Sequence, residues 1–171
     1  TPLHSSAASD VYKRQSELKP SNYHPIPVKT NSAGEKYSKI LNKIFANDYD
    51  FKDYDRATNI YWPGNKLGHG REDVIKFWNS LKSILSEINF KIEHVGYLDE
   101  PNRNPRASIR WSLEGIHSQD SKDYGKKTNS NLSFIGINHA ELNPYGVIKE
   151  WVLFDEVAIW KQILMNKNKN G

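Results

Sequence analysis

The chain has 171 residues, of which 37% are apolar and 26% are charged, and it contains no cysteine. This length predicts a single domain that buries its own hydrophobic core. The absence of cysteine excludes disulfides, thiolate zinc sites, iron–sulfur clusters and cysteine nucleophiles. No apolar run reaches the ~20 residues of a membrane-spanning helix, so no membrane association is predicted and a cytoplasmic location is favoured.

The formal net charge is +4, but it is unevenly distributed. Residues 31–160 contain 17 basic and 18 acidic side chains, so the excess of positive charge lies in the two ends of the chain. A nucleic-acid-binding protein usually collects its cations on one face of the fold. The charge distribution therefore argues against nucleic-acid binding, and RNA binding through the basic tails is the least favoured of the functions considered.

Three segments differ in composition. Residues 1–31 are rich in serine and proline and show no apolar period, which predicts a disordered or non-native leader, with an organelle leader as the alternative. Residues 32–165 contain all the periodic segments and are predicted to form one domain. Residues 166–171 are predicted to be a flexible, basic tail.

Helical patterns come first along the chain. Ser32 and Glu35 match a capping box, and an apolar stripe from Tyr37 to Phe45 follows with helical spacing. The segment 51–57 is predicted to be a second short helix, and 59–62 a short strand. Two glycines, at 68 and 70, indicate a turn before a third helix, whose apolar stripe runs to position 88.

Strand patterns fill the second half of the domain. Apolar and polar residues alternate over 90–98, 107–117 and 132–142, with turn residues between these segments. The last predicted strand, 147–160, has apolar residues at both parities, so both its faces should be covered. Helices followed by a run of strands predict an α+β fold in which a strongly curved antiparallel sheet wraps around the N-terminal helices.

Strand parity selects the candidate active-site residues. His117 shares the parity of the apolar residues Ile109 and Trp111, and Asp155 shares that of Trp151 on the last strand. We therefore expect an imidazole and a carboxyl group in one apolar interior, provided that no β-bulge intervenes. Such a pair can transfer protons to and from carbon or oxygen. His94, at the parity of its apolar neighbours, could join them.

Structural explanations remain open for several of these residues. Asp155 could instead form a hydrogen bond with His117 or Arg110 that closes the sheet. Arg110, on the polar face with Glu114, is either an anion clamp or, as the favoured alternative, a member of a cross-strand ion pair at a dimer surface. The parity of His139 cannot be decided. The histidines are too widely spaced for a metal-ligand motif, so no metal is predicted.

Several of these segments resemble one family. RWSLEGIHS at 110–118, FIGINHAEL at 134–142 and YGVIKEWVLFDEVAIWKQI at 145–163 resemble the SnoaL-like polyketide cyclases and ester cyclases of the nuclear transport factor 2-like superfamily. The resemblance covers about residues 35–164. It implies a cone-shaped α+β barrel with a deep cavity and a homodimer formed through the outer face of the sheet. One departure is Lys127-Thr128-Asn129, where the family usually has Pro-Thr-Gly at the cavity mouth.

The resemblance also implies residue roles. It assigns Asp155 as a cofactor-free acid–base catalyst of intramolecular aldol ring closure, with His117 near the cavity. Trp151 matches the aromatic residue before that aspartate. Trp151, Trp111 and Trp62 are expected to form the apolar walls of the cavity, and His94, Arg110 and His139 are further candidates for cavity or substrate-binding residues.

Two functions from different classes follow. The first is a cofactor-free cyclase or isomerase that acts on a small, largely apolar carbonyl substrate. The second is a non-catalytic module of the same fold that binds a hydrophobic small molecule or serves dimerisation. The first predicts that a near-isosteric change of the catalytic carboxyl abolishes activity, whereas the second predicts that the protein tolerates it.

Overall fold

The computed structural model describes residues 27–167, so most of the predicted leader and the end of the predicted tail lie outside it. Three helices and six strands make up the described part of the chain, besides one short 3-10 turn. In chain order these are α1 (Ala33–Phe45), the 3-10 turn (Phe51–Asp53), β1 (Tyr54–Trp62), β2 (Lys66–His69), α2 (Gly70–Lys82), β3 (Leu85–Leu98), β4 (Arg106–His117), β5 (Asn131–Asn143), β6 (Gly146–Phe154) and α3 (Glu156–Lys167). The predicted α+β class is confirmed.

Helix α1 begins where the capping box predicts. The Ser32 hydroxyl accepts a hydrogen bond from the Glu35 backbone N–H at 3.2 Å, which satisfies one of the free donors of the first turn. The apolar stripe that follows is buried and packs on β3 and β4. The helix therefore lies in the concave side of the sheet.

The six strands form one sheet in the order β2-β1-β6-β5-β4-β3. The sheet is curved and does not close on itself. All neighbouring strands are antiparallel except β1 and β6, which run parallel. The predicted antiparallel sheet thus contains one parallel pair, because β1 returns to the sheet beside the last strand rather than beside β3.

Four predicted element boundaries are wrong. The predicted second helix is a single 3-10 turn, and strand β1 already begins at Tyr54. The predicted turn between the two glycines contains the short strand β2. Helix α2 ends at Lys82, because the apolar residues that continue its stripe belong to strand β3. The predicted last strand ends at Phe154, and α3 follows it.

Aromatic rings fill the space between the helices and the sheet. Trp111 lies at its centre, with the rings of Trp78, Phe90 and Phe134 between 5.9 and 6.4 Å from its own. Trp62 stacks on Phe77 at 5.6 Å on the side of helix α2. The predicted interior positions of Trp62 and Trp111 are confirmed, but the two indoles are part of a packed core rather than walls of a deep empty cavity.

Among the residues described, no helix is long and apolar enough to cross a membrane.

Gly136 allows the central tryptophan to lie flat against the sheet. It is the cross-strand neighbour of Trp111, and a Cβ atom built at this position would lie 2.1 Å from the indole. We expect Gly136→Ala to destabilise the protein by about 1–3 kcal/mol or more, because the indole must move within a packed core.

The test is chemical denaturation, with Gly96→Ala as the matched control. Gly96 is also a strand glycine, but the nearest atom to its built Cβ is 3.8 Å away. Equal effects of the two substitutions would contradict the close packing of Trp111 on β5.

Candidate active site

A carboxyl group lies in the interior of the sheet, but it belongs to Glu150. The pairing of β5 with β6 shifts by one residue between Glu141 and Leu142, so that Ile148 is an extra residue in β6. Val147 faces the interior before this bulge, and Glu150 does so after it. The Glu150 side chain is completely buried, with 0% of its surface exposed.

Three side chains from three elements donate hydrogen bonds to this carboxylate. The Tyr37 hydroxyl of α1 and the Asn138 amide of β5 both donate to Oε1, the latter at 2.9 Å. The Tyr54 hydroxyl of β1 donates to Oε2 at 3.0 Å. The Trp111 indole N–H donates to the Asn138 side-chain oxygen at 2.8 Å, which turns the amide N–H₂ group toward Glu150. We call Glu150, Tyr37, Tyr54 and Asn138 the buried carboxylate cluster.

Burial and hydrogen bonding act on Glu150 in opposite directions. Burial disfavours the charged form and raises the pKa of the Glu150 carboxyl above its ordinary value, whereas the donors from Tyr37, Tyr54 and Asn138 oppose this rise. The Trp78 indole N–H also lies close enough to lower this pKa, although it has no hydrogen-bond partner among the described residues. A carboxylate with a raised pKa is a better proton acceptor than one in water.

A narrow cleft lies beside this cluster and shares Tyr54 with it. Its lining is mainly apolar and comes from the end of α1, the 3-10 turn, the start of β1 and helix α2; its residues include Ile44, Tyr49, Phe51, Tyr54, Arg71 and Trp78. Tyr54 and Trp78 belong both to the cleft and to the surroundings of Glu150. The cleft has room for about one water molecule.

His117 is buried where strand parity predicts it, at the end of β4. The pairing of β4 with β5 is continuous as far as Ile116, so no bulge interrupts the alternation there. The His117 Nδ1 atom lies 3.2 Å from the Thr128 hydroxyl, and Nε2 has no hydrogen-bond partner among the described residues. Burial lowers the pKa of the His117 imidazole, which favours the neutral form.

His117 and Glu150 lie at different ends of the sheet. Glu150 is aligned across β5 with Ala107, at the beginning of β4. His117 is ten residues further along that strand, which corresponds to about 33 Å of extended chain. The imidazole therefore cannot assist a reaction at Glu150.

The predicted pairing of His117 with Asp155 is wrong. Asp155 follows the last residue of β6 and is exposed, and its carboxylate accepts a hydrogen bond from the Ala158 N–H at 2.8 Å. This is the position and contact of a helix N-cap residue, at the start of α3. The prediction failed because Trp151 and Leu153, whose parity Asp155 shares, face outward.

The outer face of the sheet carries the other predicted site residues. Trp151 stacks on Tyr61 with the ring centres 5.4 Å apart, and His139 lies on its other side at 5.5 Å. His94 pairs with Arg110 because a register shift after Ile92 turns it away from the interior. The expected cavity positions of Trp151, His139, His94 and Arg110 are therefore wrong.

None of the four members of the buried carboxylate cluster was predicted from the sequence as a site residue. Asn138 carried a usable signal, because it is the one polar side chain at the buried parity of β5, between Phe134 and Leu142. Tyr37 and Tyr54 could not be distinguished from ordinary core aromatics. Glu150 lies between Lys149 and Trp151 in a strand with apolar residues at both parities, so only the bulge reveals which face it occupies.

The raised pKa of Glu150 gives a pH dependence of stability. The folded protein binds this proton more tightly than the unfolded chain, so its contribution to stability is greatest at low pH and is lost as the pH rises above 4.5 and through the raised pKa. Glutamine cannot ionise, so we expect Glu150→Gln to remove this loss of stability. The loss amounts to about 1.4 kcal/mol for each unit by which the pKa of Glu150 is raised.

Urea denaturation between pH 4 and pH 8 measures the effect. Glu114→Gln, at an exposed position on the outer face, is the control and should follow the wild type. Parallel pH profiles for the wild type and Glu150→Gln would contradict the burial of an ionisable group at this position.

Solved structures of other proteins share this fold at low sequence identity. No family model and no curated protein matches the chain. A candidate SnoaL-like polyketide cyclase from Jannaschia sp. CCS1 is 12% identical, with a TM-score of 0.64, covering 81% of this chain and 96% of its own. A candidate polyketide cyclase from Pseudomonas putida KT2440 is 8% identical, with a TM-score of 0.63 over 77% and 97% of the two chains. AclR, a candidate hydroxylase from Streptomyces galilaeus, is 12% identical, with a TM-score of 0.60 over 78% and 98%. The chain thus has the fold of these SnoaL-like structures, as its sequence motifs predict.

Proposed function

We propose that the protein is a SnoaL-like acid–base enzyme that acts on a small, largely apolar carbonyl substrate and needs no cofactor. The observation that carries this proposal is the buried carboxylate cluster, which lies beside the apolar cleft and shares Tyr54 with it. Glu150 is the proton acceptor, in the role that the sequence resemblance gave to Asp155. The structural neighbours named as candidate polyketide cyclases support ring closure or isomerisation as the type of reaction.

The proposed step is removal of a proton from the carbon next to the carbonyl group. The C–H bond breaks, the proton goes to the Glu150 carboxylate, and the electron pair forms an enolate. The Trp78 indole N–H is the donor available to the enolate oxygen, since Trp78 lines the cleft and its N–H has no partner among the described residues. The enolate then takes the proton back at another carbon, or its carbon attacks a second carbonyl group of the same molecule. In the second case a C–C bond forms, the carbonyl π bond breaks, and the resulting alkoxide takes the proton from Glu150.

The substrate must widen the cleft to reach this cluster. Tyr49 and Phe51 contact each other edge to face at 6.2 Å, and Phe51 is half exposed at the mouth. Rotation of these two rings would open the path to Tyr54 without moving the sheet. In the proposed mechanism this rotation admits the substrate and its reversal excludes bulk water.

One observation supports a second candidate, a non-catalytic module: the interior of the protein is tightly packed. Each Glu150 oxygen already accepts a hydrogen bond from a tyrosine, and the cleft holds about one water molecule. On this reading the cluster only ties α1 and β1 to the sheet. The two candidates differ in what they predict for a near-isosteric change at Glu150.

We further propose that the protein forms a homodimer through the outer face of its sheet. Apolar side chains lie side by side there: Ile137 and Leu153 are cross-strand neighbours and are 47% and 67% exposed. Trp151, on the same strand as Leu153, stacks on Tyr61 of β1, so the surface continues across one more strand. A continuous apolar face on a sheet is suited to an isologous contact with a second copy.

The catalytic proposal is tested by proton exchange into a panel of enolisable keto-esters in deuterated water. We expect the wild type to accelerate exchange and Glu150→Gln to lose at least about 100-fold of that acceleration, because general-base catalysis contributes that much. Thermal melting shows whether the variant is folded. Exchange that Glu150→Gln retains, in a folded protein, would support the non-catalytic candidate.

Asp155→Asn is the matched control for this assay. Asparagine caps a helix as well as aspartate does, so we expect both stability and exchange to remain at the wild-type level. Loss of exchange in this variant would return the catalytic role to Asp155 and contradict the assignment to Glu150.

The dimer is tested by sedimentation velocity. We expect Ile137→Lys combined with Leu153→Lys to convert a wild-type dimer into monomers, because two charges per subunit would be buried without partners. The control is Leu67→Lys with Leu164→Lys, two exposed leucines outside this patch. A wild type that sediments as a monomer would contradict the proposal.

A further inference from the structure

A basic basin lies beside the cleft, on the opposite side of Arg71. Its cations come from three elements: Lys36, Lys39 and Lys43 from one face of α1, Lys52 from the 3-10 turn, and Arg71 from the first turn of α2. Its volume is about 690 Å3, and it is open to solvent. The described lining contains a single carboxylate, Asp53.

The residues that line the basin keep a positive charge after their ion pairs are counted, with Asp48 and Asp50 near Lys43 and Asp55 near Arg71 outside the lining. Lys43 pairs with Asp53 at 3.0 Å, and Lys39 pairs with Glu35 at 2.8 Å. Lys36 and Lys52 form no ion pair with any described residue. This concentration of charge is not evident from the sequence, in which basic and acidic residues are evenly mixed between positions 31 and 160.

The far wall of the basin carries an exposed aromatic ring. Tyr145, in the turn between β5 and β6, is 74% exposed. Hydrogen bonds hold the turn: the Tyr145 N–H donates to the Asn143 side-chain oxygen at 2.8 Å, and the Asn143 amide donates to Asp55 at 2.7 Å. The next residue, Gly146, has φ +123° and lies so close to the Asp53 backbone that a Cβ would not fit. The ring therefore projects from a turn that is already ordered.

We propose that this basin binds a nucleoside diphosphate or a similar small nucleotide. The phosphates lie between the lysines of α1 and Lys52, where at least two cations are available to them. The base stacks on the Tyr145 ring, since an aromatic face beside a cationic groove is a sequence-tolerant platform for any base. The ordered turn reduces the conformational entropy that binding would otherwise cost.

Isothermal titration calorimetry with ADP and with pyrophosphate, at low ionic strength, tests the two halves of the site. We expect ADP to bind about tenfold more tightly than pyrophosphate, and both to weaken as salt is added. Lys36→Gln with Lys52→Gln should weaken both probes about tenfold. Lys122→Gln with Lys126→Gln, two exposed lysines elsewhere, removes the same charge and should change the affinities less than twofold.

Tyr145→Ala tests the base-stacking part of the site and should lower the affinity for ADP to that for pyrophosphate. Tyr145→Phe should preserve the difference in affinity between the two probes. Equal weakening by the two lysine pairs, or no ADP binding at millimolar concentration, would overturn the proposal. So would RNA oligonucleotides that bind far more tightly than ADP, with affinity increasing with length, since they would indicate an extended nucleic-acid surface. None of these measurements requires catalysis, so failure of the proposed enzyme activity leaves this test intact.

Discussion

The buried carboxylate of Glu150 is the constraint on which the arrangement of helix and sheet depends. A carboxyl group without partners in an apolar interior would cost several kcal/mol, so its oxygens must receive hydrogen bonds. The donors come from α1, β1 and β5, and each must hold its position for the set to be complete. Tyr37 of α1 therefore does more than pack in the core, because its hydrogen bond to Glu150 fixes the position of the helix along the curved sheet.

The position of this carboxylate depends in turn on one extra residue in β6. Without the bulge at Ile148, a strand with Val147 facing inward would turn Trp151 inward and Glu150 outward. The bulge places the charge in the core and the indole on the outer face, where it stacks with Tyr61. The same irregularity thus determines both the interior chemistry and the character of the outer surface. Bulges beside functional groups are common because they redirect individual side chains.

Strand parity predicted the orientation of side chains only where a strand is regular. On β4, polar and apolar residues alternate without interruption, and the predicted inward positions of Trp111 and His117 are correct. On β3 and β6, one register shift each reversed the orientation of His94 and Trp151. Where residues of both parities are apolar, the sequence does not show at which position such a register shift occurs. The motif resemblance identified the fold because it depends on the order of elements rather than on the direction of each side chain.

The two polar features of the molecule are connected through one residue. The Arg71 side chain lines both the apolar cleft and the basic basin, and its Nε–H donates to the Tyr54 backbone carbonyl. Tyr54 in turn donates to Glu150. A ligand in the basin that draws the Arg71 guanidinium toward its phosphates would act on the backbone of the residue that links the cleft to the buried carboxylate. The basin and the cleft therefore share one arginine side chain, which is hydrogen-bonded to the backbone of Tyr54.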